Sequence, residues 1–226
     1  MATTTRVDRK PEIASIRDEY EDAYEVVDGV PIDRPSIDPV QVAYEEAYEI
    51  VNGQPIEEPE MGVYPNQVAS ILHEYLGPFV RRQGLGRSTV ETKFRTRPTN
   101  KRRPDVAFIS FAKWPKGRRA PDTDAWDFVP DLAVEVISKS DKAWDVLGKV
   151  REYFDAGVEA VWLIYPNLEL IHVYTSFLRI EVLTREQTLD GGTVVPGFRL
   201  ALADLFEGEA EPEAEPAEPT EPAPPA

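Results

Sequence analysis

Two short stretches of this chain combine the composition of a buried strand with a carboxylate. Residues 103–109 read RPDVAFI, and residues 130–138 read PDLAVEVIS. Both are rich in apolar and β-branched residues, which predicts buried strands. Asp105 stands at the head of the first apolar run and Glu135 in the middle of the second. A carboxylate in such a strand is costly unless a cation, a metal ion or a proton compensates it, so both residues are candidates for function.

A helix is predicted after the second strand, and it carries a lysine. Asp145, Lys149 and Tyr153 recur at four-residue intervals, which places them on one face of that helix. Two strand carboxylates and a lysine are the residue types of a metal-dependent phosphodiesterase. The apolar residues of this helix are predicted to be core, namely Trp144, Leu147, Val150 and Phe154.

The composition restricts the kind of metal site. The chain has no cysteine and two histidines, which excludes disulfides, thiolate sites and a histidine-based zinc site. A metal would be held by oxygen, which favours Mg²⁺ or Mn²⁺. The N-terminal residues lack a signal-peptide core, and no apolar run reaches 18 residues, so we expect a cytoplasmic protein without membrane contact.

The net charge of −16 is unevenly distributed. Residues 1–60 contain five Lys and Arg against 16 Asp and Glu, and residues 207–226 contain seven Glu and no basic residue. The remaining residues are slightly positive, and segment 81–103 is strongly basic. A basic segment leading into Asp105 predicts contact with a nucleic-acid backbone, although clusters of this kind also occur on solvated faces. The residues predicted to make this contact are Arg95, Arg97, Lys101, Arg102 and Arg103.

A duplicated segment marks the N-terminal part. Residues 20–33 align with residues 44–57, and each copy has two short apolar runs around an Asp-Gly or Asn-Gly pair, which predicts β-hairpins. We expect an acidic extension over 1–36, whose hairpin pairs with an exposed sheet edge of its own or a neighbouring subunit. The main domain is predicted over 37–206, and the Glu/Pro/Ala tail 207–226 is predicted to be disordered.

The rest of the chain alternates between helical and strand patterns. One helix is predicted over 66–83, with Pro78 kinking it or ending it early. A second is predicted up to Ala156, capped by Ser140 or Asp141 and stopped by Gly157. The predicted strands are 87–97, 104–110, 131–138, 160–165, 169–175 and 177–184, and residues 111–129 are a predicted loop. The order predicts an α/β domain with a mixed sheet.

The pieces of sequence and their order resemble the Uma2 family of the PD-(D/E)XK nuclease superfamily. The resemblance covers residues from about 44 to 206 and depends on the order and spacing of its pieces. The pieces include YEIVNG (48–53), RPDV (103–106), PDLAVEVIS (130–138), KVREY (149–153) and PGF (196–198). It implies a restriction-endonuclease-like core, a mixed β-sheet flanked by helices and N-terminal β-hairpins. It also implies hydrolysis of DNA phosphodiester bonds.

The resemblance further implies the site residues. Asp105 and Glu135 would ligate Mg²⁺ or Mn²⁺, with the main chain near Val136 as third ligand. The superfamily lysine normally stands two residues after the second acid, where this chain has Ile137, and Lys149 matches a variant in which the following helix supplies it. The resemblance gives Glu49 a role as a ligand or a supporting residue. Asp145 and Tyr153, on the face of Lys149, are placed to orient it.

Two alternatives stay open at this point. A nuclease-derived but inactive module that binds nucleic acid or protein would suit the acidic termini, which can mask the basic segment or mimic DNA. RNA is the other substrate to consider. A homodimer is compatible with the resemblance, because many members of the superfamily act as dimers.

Overall fold

The computed structural model describes residues 26–27, 30–31, 48–57 and 61–207. The predicted boundary after residue 36 and the acidic tail from residue 208 lie outside them. The chain divides into a unit up to Ala47 and a unit from Tyr48. In the first unit, strand β1 (Val26–Val27) pairs antiparallel with β2 (Val30–Pro31), which agrees with the hairpin predicted for the first copy of the duplication.

The second copy of the duplication forms a tight hairpin. Strand β3 (Tyr48–Val51) pairs antiparallel with β4 (Gln54–Glu57). Asn52 and Gly53 between them have φ angles of 52° and 77°, as the two-residue turn favoured by an Asn-Gly pair requires. The Asn52 amide donates to the Asn100 side chain at 2.7 Å, which ties this turn to a second hairpin.

The main sheet has six strands: β5 (Gly86–Val90), β8 (Val106–Ser110), β9 (Leu132–Val136), β10 (Ala160–Tyr165), β11 (Leu170–Ser176) and β12 (Arg179–Thr184). Their order in the sheet is β12-β11-β10-β9-β8-β5. Only β9 and β10 run parallel, and a helix connects them, while the other neighbouring pairs are antiparallel.

One helix covers each face of this sheet. Helix α1 (Val63–Arg82) packs its buried side chains, such as Leu72, on the face that carries Val134. Helix α2 (Ala143–Ala156) packs on the opposite face through Val150 and Tyr153. Because side chains alternate along a strand, Glu135 points to the α2 side. This arrangement confirms the predicted α/β fold, a mixed sheet between helices.

A second sheet brings the hairpins together. Its order is β4-β3-β7-β6, with β6 (Phe94–Arg97) and β7 (Asn100–Arg102) forming the other hairpin. The single strand predicted over 87–97 is therefore wrong: the stretch is divided between two sheets. The division falls at Glu91, whose φ of 49° is incompatible with a continuous strand.

The helix ends differ in part from expectation. Pro78 lies inside α1, which continues to Arg82. Helix α2 has Lys142 at its N-cap without a side-chain cap, and Asp141 instead accepts a hydrogen bond from the Ser138 amide. Gly157 ends α2 with a φ of 96°, as predicted.

Part of the predicted core of α2 is also wrong. Val150 is fully buried, but Trp144 is 86% exposed and Leu147 is 45% exposed. Val146, in the same turns, is buried against the sheet, so Trp144 and Leu147 are exposed because they lie on another face of the helix.

The last elements of the described residues are a small hairpin and a short helix. Strand β13 (Thr188–Asp190) pairs with β14 (Arg199–Ala201), and α3 (Leu202–Leu205) follows and packs into the α1 core. In the described part of the chain, no helix is long and apolar enough to cross a membrane.

Candidate active site

The two strand carboxylates lie opposite each other. Val106 of β8 pairs with Val134 of β9, so the residues one step beyond that pair, Asp105 and Glu135, face each other at the start of β8. Oδ2 of Asp105 accepts a hydrogen bond from the Val136 amide at 2.5 Å. Asp105 is partly buried and Glu135 is buried. The structure therefore brings together the three positions predicted as metal ligands, whereas ligation itself stays a prediction.

The surroundings of Asp105 raise its pKa well above the usual range. Burial is the largest cause, and the negative charge of Glu135 is the next. The hydrogen bond from Val136 and the positive charge of Lys149 act in the other direction without cancelling the effect. Each carboxylate makes ionisation of the other less favourable. A cation bound between them offsets this repulsion, so the pair favours cation binding.

Helix α2 brings Lys149 and Tyr153 to Glu135. The Tyr153 hydroxyl donates to Oε1 of Glu135 at 2.6 Å, and Nζ of Lys149 lies 3.6 Å from Oε2. Tyr153 is fully buried, and its pKa is raised well above normal, first by burial and then by the charges of Glu135 and Glu49. The tyrosine therefore stays protonated and serves as a hydrogen-bond donor. The predicted helical face is correct for these two residues.

Glu49 holds the lysine from the other side. This buried residue of β3 places Oε2 at 3.3 Å from Nζ of Lys149 and at 2.6 Å from Nη1 of Arg102. Its Oε1 accepts a hydrogen bond from the Arg103 amide at 3.1 Å. With three donors around one carboxylate, the geometry favours a supporting role for Glu49 over ligation of a metal.

Arg102 lies in the interior between two carboxylates. Its Nη1 reaches Glu49 and its Nη2 reaches Oε2 of Glu152, each at 2.6 Å. The guanidinium side chain is only 10% exposed, so it is not available to a phosphate backbone. This corrects the predicted nucleic-acid contact of Arg102: strand β7 turns the residue inward, towards α2.

Glu152 anchors this buried network and was not predicted from the sequence. Burial alone would raise the pKa of Glu152, but hydrogen bonds from Arg102, Thr96 and Asn100 outweigh it and lower the pKa. Nδ2 of Asn100 donates to Oε1 at 3.0 Å, and the Thr96 hydroxyl donates to the same oxygen. The sequence signal that could have identified Glu152 is its position three residues after Lys149, because residues three apart are neighbours on a helix surface.

The charges of this region do not balance. Four carboxylates (Asp105, Glu135, Glu49 and Glu152) lie around two cations (Lys149 and Arg102), which is an excess of two negative charges when all four are ionised. No three His, Cys, Asp or Glu side chains of the described residues converge on a metal position. A divalent cation fits the excess charge and the oxygen donors of Asp105 and Glu135. Such an ion completes its coordination with main-chain oxygen, water or phosphate, as magnesium commonly does.

The other basic residues predicted to contact nucleic acid are paired with acids. Three of the pairs are Arg95 with Asp127 at 3.0 Å, Arg97 with Asp155 at 3.1 Å and Arg103 with Glu91 at 2.9 Å, and Lys101 pairs with Asp124. These partners offset the positive charge that the sequence concentrates there. Asp145, predicted to orient Lys149, is exposed on α2.

Comparison with known proteins places this arrangement in a family. The model of the Uma2 family, described as "Putative restriction endonuclease", matches residues 12–203. The chain belongs to the Uma2 family. No curated protein matches it.

One solved structure shares the Uma2 fold seen here. It is described as "a putative nuclease belonging to DUF820" from Anabaena variabilis ATCC 29413. It superposes with a TM-score of 0.64 at 20% identity, over 72% of this chain and 90% of that one. A DrdV–DNA complex matches 60% of this chain and 10% of its own, at 14% identity and a TM-score of 0.31, too low to support an inference. Both the family and the first neighbour are thus described as nucleases.

Proposed function

We propose that this protein is a divalent-metal-dependent endonuclease that hydrolyses phosphodiester bonds in DNA. The observation that carries the proposal is the meeting of Asp105 and Glu135 on neighbouring strands, with Nζ of Lys149 at 3.6 Å from Glu135. Membership of the Uma2 family supports nuclease chemistry. The metal, the substrate and the residue roles are the proposed part.

Asp105, Glu135 and the main chain at Val136 would hold Mg²⁺ or Mn²⁺. A bound divalent cation supplies Lewis acidity towards the scissile phosphate. The protein's contribution is to fix the two carboxylates: the Val136 amide holds Asp105, and the Tyr153 hydroxyl holds Glu135.

Lys149 would offset negative charge on the phosphate during the reaction. An ammonium fixed beforehand in a partly buried site stabilises charge that develops in the transition state. Its side chain is 20% exposed, so it can reach a substrate while Glu49 holds it at 3.3 Å.

Nicking of supercoiled plasmid in Mg²⁺ or Mn²⁺ tests the proposal. The variants are Glu135→Gln and Lys149→Met, with Lys142→Met as the matched control. Lys142 is exposed and directly precedes the same helix, so the control removes the same charge away from the site. We expect metal-dependent nicking by the wild type and by Lys142→Met, and at least a hundredfold loss in the other two.

Each outcome has a defined meaning. Unchanged nicking by Glu135→Gln contradicts the proposed metal site. Loss of nicking in Glu135→Gln alone supports the metal site and shows that Lys149 is not needed for the reaction. Cleavage of RNA in place of plasmid corrects the substrate.

The second candidate is an inactive module that binds nucleic acid or protein. The observation that favours it is that Lys149 already contributes positive charge between Glu49 and Glu135. Two results together would support this candidate. The protein would bind DNA without nicking it, and calorimetry would detect no Mn²⁺ binding heat that Asp105→Ala abolishes. A homodimer, a cytoplasmic location and the domain limits 1–36, 37–206 and 207–226 stay predictions.

A further inference from the structure

The loop after β8 carries an exposed basic turn. Pro115, Lys116, Gly117 and Arg118 form it, and the Arg118 amide closes it by donating to the Pro115 carbonyl at 3.1 Å. Gly117 has a φ of 84°, as the third position of a type II turn requires. Lys116, Arg118 and the following Arg119 are all exposed. We call residues 115–119 the basic turn.

We propose that the basic turn binds the phosphate backbone of duplex DNA at a distance from the catalytic residues. The inference rests on the proposed function, because it assigns a binding surface to the substrate of that site. Three neighbouring cations in a short turn match the repeating charge of a nucleic-acid backbone.

The basic turn is fixed before any ligand arrives. The Arg118 carbonyl accepts two hydrogen bonds, from Nε1 of Trp114 at 2.9 Å and from Nη1 of Arg87 at 3.1 Å. The Arg87 guanidinium stacks on the Trp114 ring at 3.8 Å from its centroid and lies 5.7 Å from that of Phe111. Arg87 belongs to β5, so the turn is joined to an edge strand of the main sheet. A surface fixed in this way loses little conformational entropy on binding.

Aromatic packing extends this anchor into the protein. The Trp114 ring lies 4.8 Å from that of Trp126, and Trp126 lies 4.8 Å from Phe128. Phe128 in turn packs near the fully buried Phe94 of β6, at 6.4 Å. The basic side chains thus project from a packed base, unlike those of an extended surface loop.

The basic side chains of the turn differ from the strand arginines in their ion-pair partners. Arg95, Arg97 and Arg103 have carboxylate partners, which a phosphate would have to displace. Within the described part of the chain, no carboxylate forms a salt bridge with the three basic side chains of the turn. Binding phosphate at the turn therefore breaks no ion pair there.

The position suits one continuous duplex. Asp105 precedes β8 and the loop follows its other end, Ser110. A five-residue strand spans about 17 Å, which corresponds to roughly five nucleotides at 3.4 Å per nucleotide of one strand. Contacts at this distance position a substrate without taking part in the chemistry.

The test is DNA affinity as a function of salt, measured by fluorescence anisotropy with a labelled 20-base-pair duplex. All proteins are the full chain in a Glu135→Gln background, in Mg²⁺, to prevent cleavage. The test variant is Lys116→Gln/Arg118→Gln/Arg119→Gln. The matched control is Arg81→Gln/Arg82→Gln/Arg179→Gln, which removes three exposed arginines from the end of α1 and from β12. Far-ultraviolet circular dichroism and melting temperature establish that both are folded.

We expect the turn variant to bind at least about tenfold more weakly at 50 mM salt. Its plot of log affinity against log salt should be less steep by about 2.7, for three lost phosphate contacts. Equal weakening by both variants, or no weakening by the turn variant, overturns the inference. The inference is also overturned if the Glu135→Gln protein with an intact basic turn does not bind the duplex.

Nicking separates this inference from the proposed function. With Glu135 restored, a turn variant that nicks with a raised KM and a nearly unchanged kcat supports both. Nicking with unchanged KM overturns the binding surface and leaves the nuclease standing. Weakened binding by the turn variant, with no nicking by the wild type, supports the surface and contradicts the catalytic proposal.

Discussion

Nζ of Lys149 lies 3.6 Å from Oε2 of Glu135, although the two residues come from different layers of the fold. Glu135 belongs to the centre of the six-stranded sheet, and Lys149 to the helix that covers it. The same ammonium lies 3.3 Å from Glu49 in the second sheet. One lysine therefore connects three elements around the proposed site, which gives its replacement a specific set of consequences.

Lys149→Met should separate metal binding from catalysis. Removing a positive charge beside Glu135 makes the carboxylate pair a better cation site, so we expect Mn²⁺ affinity to stay equal or rise. The cleavage rate should fall by about 10² or more, because the transition state loses its fixed ammonium. Titration calorimetry with Mn²⁺ and single-turnover cleavage measure the two effects. Weaker Mn²⁺ binding in the variant would contradict this assignment of Lys149.

Metal binding should depend on pH through Asp105. Its pKa is raised in the folded protein, so the group keeps its proton to higher pH than an exposed aspartate, and protons compete with the metal. Mn²⁺ affinity should increase as pH rises through this raised range, and binding should release protons. Calorimetry in two buffers of different ionisation enthalpy counts those protons. An affinity that does not change with pH would argue against Asp105 as a ligand.

The same shift predicts the stability of the protein without metal. A folded pKa above the unfolded one means that the fold binds the proton more tightly, and this stabilisation disappears as pH rises through the folded pKa. Asp105→Asn retains an oxygen acceptor for the Val136 amide and removes the charge facing Glu135. We therefore expect it to melt higher than the wild type at neutral pH, and the difference to shrink at acid pH. Added Mg²⁺ should raise the melting temperature of the wild type only.

The sequence predicted the elements of this site better than their contacts. Asp105 and Glu135 could be found because a carboxylate in an apolar run is conspicuous, and Lys149 because a family resemblance drew attention to it. The pairing of Val106 with Val134, which makes the carboxylates neighbours, was not predicted, because the pattern within a strand gives neither its partner nor its register. The Asn52–Gly53 hairpin turn was predictable because both residues readily adopt positive φ.

The ion pairs of the site could not be predicted from local sequence patterns. Arg102 looks like one of several basic residues, and only the second sheet places it against Glu49 and Glu152, which lie 53 and 50 positions away. The exposure of Trp144 likewise depends on which face of α2 meets the sheet, because Val146 in the same turn is buried there. Apolar residues occur on two faces of this helix, and their spacing does not show which of the two faces packs on the sheet.

Tyr153→Phe should reveal how Glu135 is held. The change removes a buried 2.6 Å hydrogen bond to the carboxylate, for an expected loss of about 1–3 kcal/mol in the free energy of unfolding. The matched control is Tyr174→Phe, another buried tyrosine of the α2 face, whose hydroxyl has no hydrogen bond to a described residue. Urea denaturation compares the two. Similar losses in both variants would mean that the bond to Glu135 contributes little.

Arg102→Ala should be the most destabilising single change in the network. It leaves Glu49 and Glu152 buried without their shared cation, and breaking a buried pair in this way costs about 3–5 kcal/mol. For a domain of this size, the melting temperature should fall by roughly 6 to 20 °C. The control, Arg97→Ala, removes an arginine of the same hairpin whose pair with Asp155 is exposed, worth about 0–1 kcal/mol.

The pH dependence of that loss identifies its cause. Hydrogen bonds from Arg102, Thr96 and Asn100 outweigh burial and keep the pKa of Glu152 below its usual value. The resulting stabilisation is present above the unfolded pKa and disappears as pH falls through the folded one. In Arg102→Ala much of it is already gone, so the difference from the wild type should be largest near neutral pH and should narrow in acid. A constant difference across that range would mean that the arginine acts through packing, and not through its charge.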